Sequence, residues 1–169
     1  MSKNLSMLFC AFFIAGICTA QDKKALDYKE LQNKLPSSIK GYTQEGDADG
    51  GSMEMNGQSW SMASKSYKNG NKKMDISIID YHTALAIFTQ STVIWNSAMS
   101  FENDDEKVGT TTVDGFNGWE QYDKKDNSST LAFGVHDRYL VTIELSDENV
   151  NFAKSVATEL GLGGLPKAN

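Results

Sequence analysis

Gln58-Ser-Trp-Ser-Met-Ala-Ser-Lys-Ser-Tyr67, Lys68-Asn-Gly-Asn-Lys72 and Lys73-Met-Asp-Ile-Ser-Ile-Ile-Asp-Tyr81 together decide the fold. Two alternating runs flank an Asn-Gly pair, and both of those residues tolerate positive φ, so the stretch reads as a β-hairpin. Its register follows from the turn. A two-residue turn at Asn69-Gly70 would pair Ala63 with Ile76 and Ser64 with Asp75. A three-residue turn, Asn69 to Asn71, pairs Met62 with Ile78, Ser64 with Ile76 and Lys65 with Asp75. The second places Trp60, Met62, Met74, Ile76 and Ile78 on one face and sets Lys opposite Asp on the other. Because a one-residue slip moves every side chain to the opposite face, the better-sorted pairing is expected, with Asn71 left-handed.

The flanks follow. Thr83 to Met99 reads as an amphipathic helix, with Leu85, Phe88, Thr92, Trp95 and Met99 along one stripe. Its β-branched residues Thr89, Thr92, Val93 and Ile94 weaken it. Glu45 to Gly57 holds four glycines and reads as a loop, and Phe101 to Lys107 reads as an acidic loop. Val108–Val113, Phe116–Tyr122, Thr130–Val135 and Tyr139–Glu144 read as a meander of four strands with short turns. Near the start, Asp27 and Glu30 form a capping box for a helix that Pro36 ends, and Ile39 and Tyr42 anchor an extended segment after it. Near the end, Ser146 is the expected N-cap of a helix with Val150, Ala153, Ala157 and Leu160 inward and Gly161 as C-cap. The order predicts an α+β fold: one antiparallel sheet of about six strands with helices packed on its faces, an αβα sandwich.

Residues 1–20 read as a signal peptide: Lys3, the apolar run Leu8 to Ala15, and Ala20 before Gln21. The run is too short for a comfortable membrane span, and no later stretch is a candidate transmembrane span. Residues 21–169 are then one exported domain, periplasmic or secreted. A rival reading lipidates Cys18, although the residue before it is Ile17. Both cysteines, Cys10 and Cys18, fall in the leader, so the exported part has no disulfide, thiol nucleophile or zinc-thiolate site. The formal charge of the chain is −6, and an acidic chain lacks the basic footprint that nucleic-acid binding needs.

The entry Leu35-Pro-Ser-Ser-Ile-Lys-Gly-Tyr42 and the hairpin Tyr67-Lys-Asn-Gly70, taken with the element order, resemble the PsbP-like superfamily, and within it small exported bacterial proteins of unassigned function. The resemblance spans most of the chain after the leader. It implies an αβα sandwich and a non-enzymatic role, and it carries no functional residue onto this chain.

Several groups of residues suggest chemistry. Glu45, Asp47 and Asp49 are spaced like the opening of a calcium-binding EF-hand loop, but position twelve is Asn56 and no helices flank the segment. Met53 and Met55, with Met62 and Met74, suggest copper(I), though Met62 and Met74 are already assigned to the apolar face of the hairpin. His82 and His136 sit near turns, with no nucleophile elbow, zinc-protease motif or phosphate loop beside them. Trp60, Tyr81, Trp95, Trp119 and Tyr122 could line an apolar ligand pocket or fill the core. These readings favour an exported, non-catalytic binding or accessory protein of the cell envelope, with an envelope protein or a small ligand as partner and no cofactor. The alternatives are a hydrolase or metal-dependent enzyme, or a calcium-stabilised module.

Overall fold

The computed structural model describes residues 24–167, so the leader and its two cysteines lie outside the described residues. Nine strands form a single antiparallel sheet: β1 (Ser38–Ile39), β2 (Tyr42–Met55), β3 (Gln58–Asn69), β4 (Lys72–Asp80), β5 (Ser100–Glu102), β6 (Glu106–Val113), β7 (Phe116–Asp123), β8 (Ser128–Val135) and β9 (Tyr139–Ser146). Across the sheet they run β1-β2-β3-β4-β9-β8-β7-β6-β5. Two meanders therefore meet along the β4–β9 ladder, from Met74 opposite Leu145 to Asp80 opposite Tyr139. The segment between β4 and β5 carries the chain from the middle of the sheet to its far edge.

This replaces the six-strand αβα sandwich. Helices α1 (Tyr28–Gln32) and α3 (Val150–Leu160) cover one face only. There Leu31, Leu35, Ala153, Val156 and Ala157 meet Met74, Ile76, Ile78, Leu131, Phe133, Val141 and Ile143 in one core. Among the described residues, the other face carries α2 (Leu85–Thr92) and a 3₁₀ turn at Val93–Asn96, which lie over one end. Ala84 and Phe88 are buried there, outside the main core. No helix among the described residues is long and apolar enough to cross a membrane.

Several expectations for individual elements change. The hairpin turn is Gly70-Asn71, with positive φ at Gly70 alone, the pattern of a type II′ turn. Neither anticipated register is present: Ala63 faces Ile78, Lys65 faces Ile76 and Ser66 faces Asp75. The shift puts Ser59, Ser61, Ala63 and Tyr67 on the core side and turns Trp60 and Met62 outward, Met62 being 40 % exposed. The reason is the closeness of α1. A Cβ added at Gly50, the partner of Ala63, would stand 2.6 Å from the Met62 carbonyl oxygen and 3.0 Å from the Tyr28 ring. Only small side chains fit beneath that helix, so the bulky residues take the other side.

The segment Glu45 to Gly57, expected as a loop, is mostly strand. β2 pairs with β3 from Thr43 to Met55, with a register shift between Glu45 and Asp49, where residues 46–48 oppose the single residue Lys65. Its glycines mark the irregularity (Gly46, φ 74°), the close approach at Gly50 and the turn at Gly57, and do not break the strand. The long helix expected to Met99 stops at Thr92, where Thr92-Val93-Ile94 crowds the backbone, and the acidic loop contains the edge strand β5. The final helix is capped by Asn149, whose side chain accepts from the Phe152 amide; Ser146 belongs to β9. Asp27 does cap α1, and Gly161 (φ 61°) does end α3.

Candidate binding cleft

The crossing segment makes a concavity over the turn end of the sheet. Phe88 and Thr92 of α2, Trp95 and Asn96 of the 3₁₀ turn, and the hairpin turns 113–117 and 135–138 enclose about 310 Å³. Each contribution has a local cause. In the three-residue β8–β9 loop, His136 to Arg138, both His136 and Asp137 have positive φ (56° and 53°), and the Arg138 amide donates to the Val135 carbonyl to close the turn. Between β6 and β7, Asp114 and Gly115 (φ 50° and 86°) form a two-residue turn of the I′ pattern that matches strand twist. Gly134 lets the crossing segment settle: a Cβ there would be 2.7 Å from Phe88 Cζ and 3.7 Å from Trp95 Cζ3. Asn117 Nδ2 donates to Asn96 Oδ1 at 2.7 Å and ties the 3₁₀ turn to β7.

Three aromatic rings, Phe88, Trp95 and Phe116, form the apolar walls, and amides, His136 and Asp137 supply polarity. The Phe116 ring meets the His136 imidazole edge-on at 5.4 Å. His136 Nε2 lies 2.9 Å from the Gly163 carbonyl oxygen. A carbonyl only accepts, so Nε2 carries the proton, and in the neutral ring Nδ1 is left as an acceptor. Thr92 Oγ1, the hydroxyl on the wall, donates to the Phe88 carbonyl of its own helix. Asp137 is the one carboxylate among the described residues that line the cleft beside His136.

A buried ion pair adjoins this rim, its Arg138 following the lining residue Asp137. Asp80 ends β4 and Arg138 closes the β8–β9 turn. Arg138 Nε and Nη2 each donate to Asp80 at 2.7 Å, with side chains 3 % and 0 % exposed. Asp80 also accepts from the amides of Leu26 (2.8 Å) and His82 (3.0 Å), and Arg138 lies over the Tyr139 ring at 4.8 Å. Arg138 is the only arginine in the chain, among 16 lysine and arginine residues. A planar guanidinium fork matches a carboxylate in a way that an ammonium does not. Burial raises the pKa of the Tyr139 phenol, and the Asp80 charge adds to the rise.

The five aromatics named as candidates for a pocket or for the core are dispersed. Trp95 lines the cleft, and Tyr81 braces Phe88 from behind at 6.3 Å. Trp60 pairs with Met53, Trp119 pairs with Ala132 on the same open face, and Tyr122 donates to Asn127 on the far side. Glu45, Asp47 and Asp49 do not converge. Glu45 pairs with Lys68 at 2.9 Å, which lowers its pKa, and Asp49 accepts from the Gly50 amide. No three His, Cys, Asp or Glu residues among those described group to hold a metal ion. Sequence reasoning missed Phe88 and Phe116 as cleft residues and missed the Asp80–Arg138 pair; the lone arginine was the available signal for the pair. No family model matches the chain, and neither a curated protein nor a solved structure matches it.

Proposed function

We propose that this chain is an exported, non-catalytic binding protein of the cell envelope that holds a small planar ligand in the Phe88–Trp95–Phe116 cleft. The supporting observation is the cleft itself: three rings around about 310 Å³, with amide and imidazole groups on its polar rim. Such walls favour a flat, partly aromatic molecule that stacks on Trp95 and accepts from the rim amides or donates to His136 Nδ1. The hydrolase reading rests on His136 and Asp137 alone, with the Thr92 hydroxyl turned to its own helix. The similarity of the Leu35–Tyr42 and Tyr67–Gly70 motifs to the PsbP-like superfamily points the same non-catalytic way.

The test is a ligand screen by protein NMR with aromatic metabolites and cell-envelope fragments. A specific ligand shifts the Trp95 indole and the His136 ring, and its binding is lost in Trp95→Ala. Turnover of the bound compound would refute the non-catalytic assignment. Binding unaffected by Trp95→Ala would refute the site.

A further inference from the structure

The lining of the aromatic cleft is biased in charge. Asp137 is a carboxylate, and no lysine or arginine is among the described residues that line the cleft. Asp137 is exposed, and no lysine or arginine among the described residues pairs with it. The next residue, Arg138, turns its guanidinium back to Asp80 in two short hydrogen bonds. The polar atoms of the rim lean the same way. His136 Nε2 donates to the Gly163 carbonyl, so Nδ1 of the neutral ring is an acceptor. Asn117 Nδ2 donates to Asn96 Oδ1, so Asn117 Oδ1 is a further acceptor and Asn96 Nδ2 is the amide donor opposite it. The rings converge as well. Phe88 and Trp95 both lie within 4 Å of the Cβ position of Gly134, and Phe116 meets His136 edge-on.

We propose that the ligand of this cleft is a flat organic cation whose positive charge is spread over one ring, of the class of N-alkylated pyridinium compounds. The inference rests on the reading of the cleft as a binding site and adds the charge and size of what it takes. A volume of about 310 Å³ is at the small end of ligand sites, which run from about 300 to 1,000 Å³, so a single ring with a short substituent fills it. Aromatic faces carry negative potential and attract a cation held within about 6 Å of the ring centre. The same faces disfavour an anion, and the Asp137 carboxylate adds to that. A delocalised cation is more weakly hydrated than a compact ammonium, so it leaves water for an apolar wall at lower cost. An amide on the ring accepts from Asn96 Nδ2 and donates to His136 Nδ1. The formal charge of −6 on the chain concentrates cations near its surface. A hard metal cation needs several oxygen ligands, and no three His, Cys, Asp or Glu residues among those described group to supply them.

The experiment titrates the full chain, observed by NMR, with three rings of one shape and different charge: nicotinamide methylated on its ring nitrogen (a cation), nicotinamide (neutral) and nicotinate (an anion). The cation should shift the Trp95 indole and the His136 ring and leave the Trp60 indole unmoved. Its dissociation constant should lie at least about tenfold below that of nicotinamide, or 1.4 kcal/mol, and nicotinate should bind most weakly. Asp137→Asn keeps a side chain that tolerates the φ of 53° at this position. It should weaken the cation at least about threefold, as loss of an exposed charge partner does, and leave nicotinamide unchanged. Added salt should weaken the cation alone, and Trp95→Ala should abolish binding. Nicotinamide or nicotinate binding as tightly as the cation, and still lost in Trp95→Ala, would overturn the cation and leave the cleft standing. Cation binding that survives Trp95→Ala would overturn the cleft too. No Trp95 shift with any of the three rings, or cation affinity unchanged in Asp137→Asn, would overturn the inference.

Discussion

Replacing Asp80 by Ala tests whether the buried ion pair holds the two halves of the sheet to the chain ends. The carboxylate accepts four hydrogen bonds: two from Arg138, one from the Leu26 amide and one from the His82 amide. Removing one partner of a buried pair costs about 3–5 kcal/mol, because the other charge stays buried. Each orphaned amide adds about 1 kcal/mol at this partial burial. The expected loss is thus about 5–7 kcal/mol, comparable to the whole stability of a marginal domain. Asp80→Asn keeps an acceptor for the amides but loses the charge, and about 3 kcal/mol is expected. Arg138→Lys keeps the charge but loses the fork, and should cost about 2 kcal/mol.

Urea unfolding followed by tryptophan fluorescence measures these losses. A double-mutant cycle with Asp80→Asn and Arg138→Met isolates the pair itself, and a coupling of at least about 2 kcal/mol is expected. The coupling should persist in high salt, since buried charges are poorly screened. A loss below about 1 kcal/mol for Asp80→Ala, or a coupling near zero, would refute the reasoning.

Other outcomes are as definite. Gly134→Ala drives a methyl into the Phe88 ring and should cost about 1–3 kcal/mol while displacing Trp95, visible as a changed indole shift in NMR. Met62→Lys faces solvent and should stay within about 0.5 kcal/mol of the parent in urea unfolding, whereas Ala63→Leu beneath α1 should cost about 1–3 kcal/mol; the reverse result would restore the discarded register. Burial pushes the Tyr67 phenol up to about 12, and burial likewise raises Tyr139. The folded chain therefore holds these protons where unfolded tyrosines, titrating near 10, release theirs. This contribution to stability is complete below about pH 10 and declines as pH climbs through the folded values, which urea midpoints from pH 8 to 12 would show. The Tyr139 hydroxyl has no hydrogen-bond partner among the described residues, so Tyr139→Phe should leave the pH 7 midpoint unchanged or higher and flatten the alkaline decline.

What the sequence disclosed divides along a physical line. Signals carried by neighbouring residues were readable: the alternation of Leu131, Phe133 and Val135, the cap at Asp27 and the left-handed stop at Gly161. Signals set by the third dimension were not. Trp60 and Met62 have the composition of core residues, and only the approach of α1 to Gly50 and Ala63 excludes them from the core. The glycines of β2 resemble a loop because composition does not distinguish a turn from a strand pressed under a helix. Asp80 and Arg138 are 58 residues apart in sequence, and no periodicity links them.

The same division explains why the cleft was illegible although some of its aromatics were in view. A meander that ran on without interruption would keep strands adjacent in sequence adjacent in space. Here the chain leaves β4 at the centre, crosses to β5 at the edge, and works back until β9 closes on β4. The crossing has to pass over the turn end of β9, β8, β7 and β6, and it carries Phe88 and Trp95 onto turns that hold Phe116 and His136. The cleft is thus a product of connectivity: its walls come from residues 88–96, 115–117 and 134–137, and one crossover brings them together. The same route leaves the rest of that face bare, so Met53, Met55, Trp60 and Met62 stay open to solvent at the opposite wing of the sheet. One topological choice, the late closure of β9 on β4, places the aromatic cleft where it is.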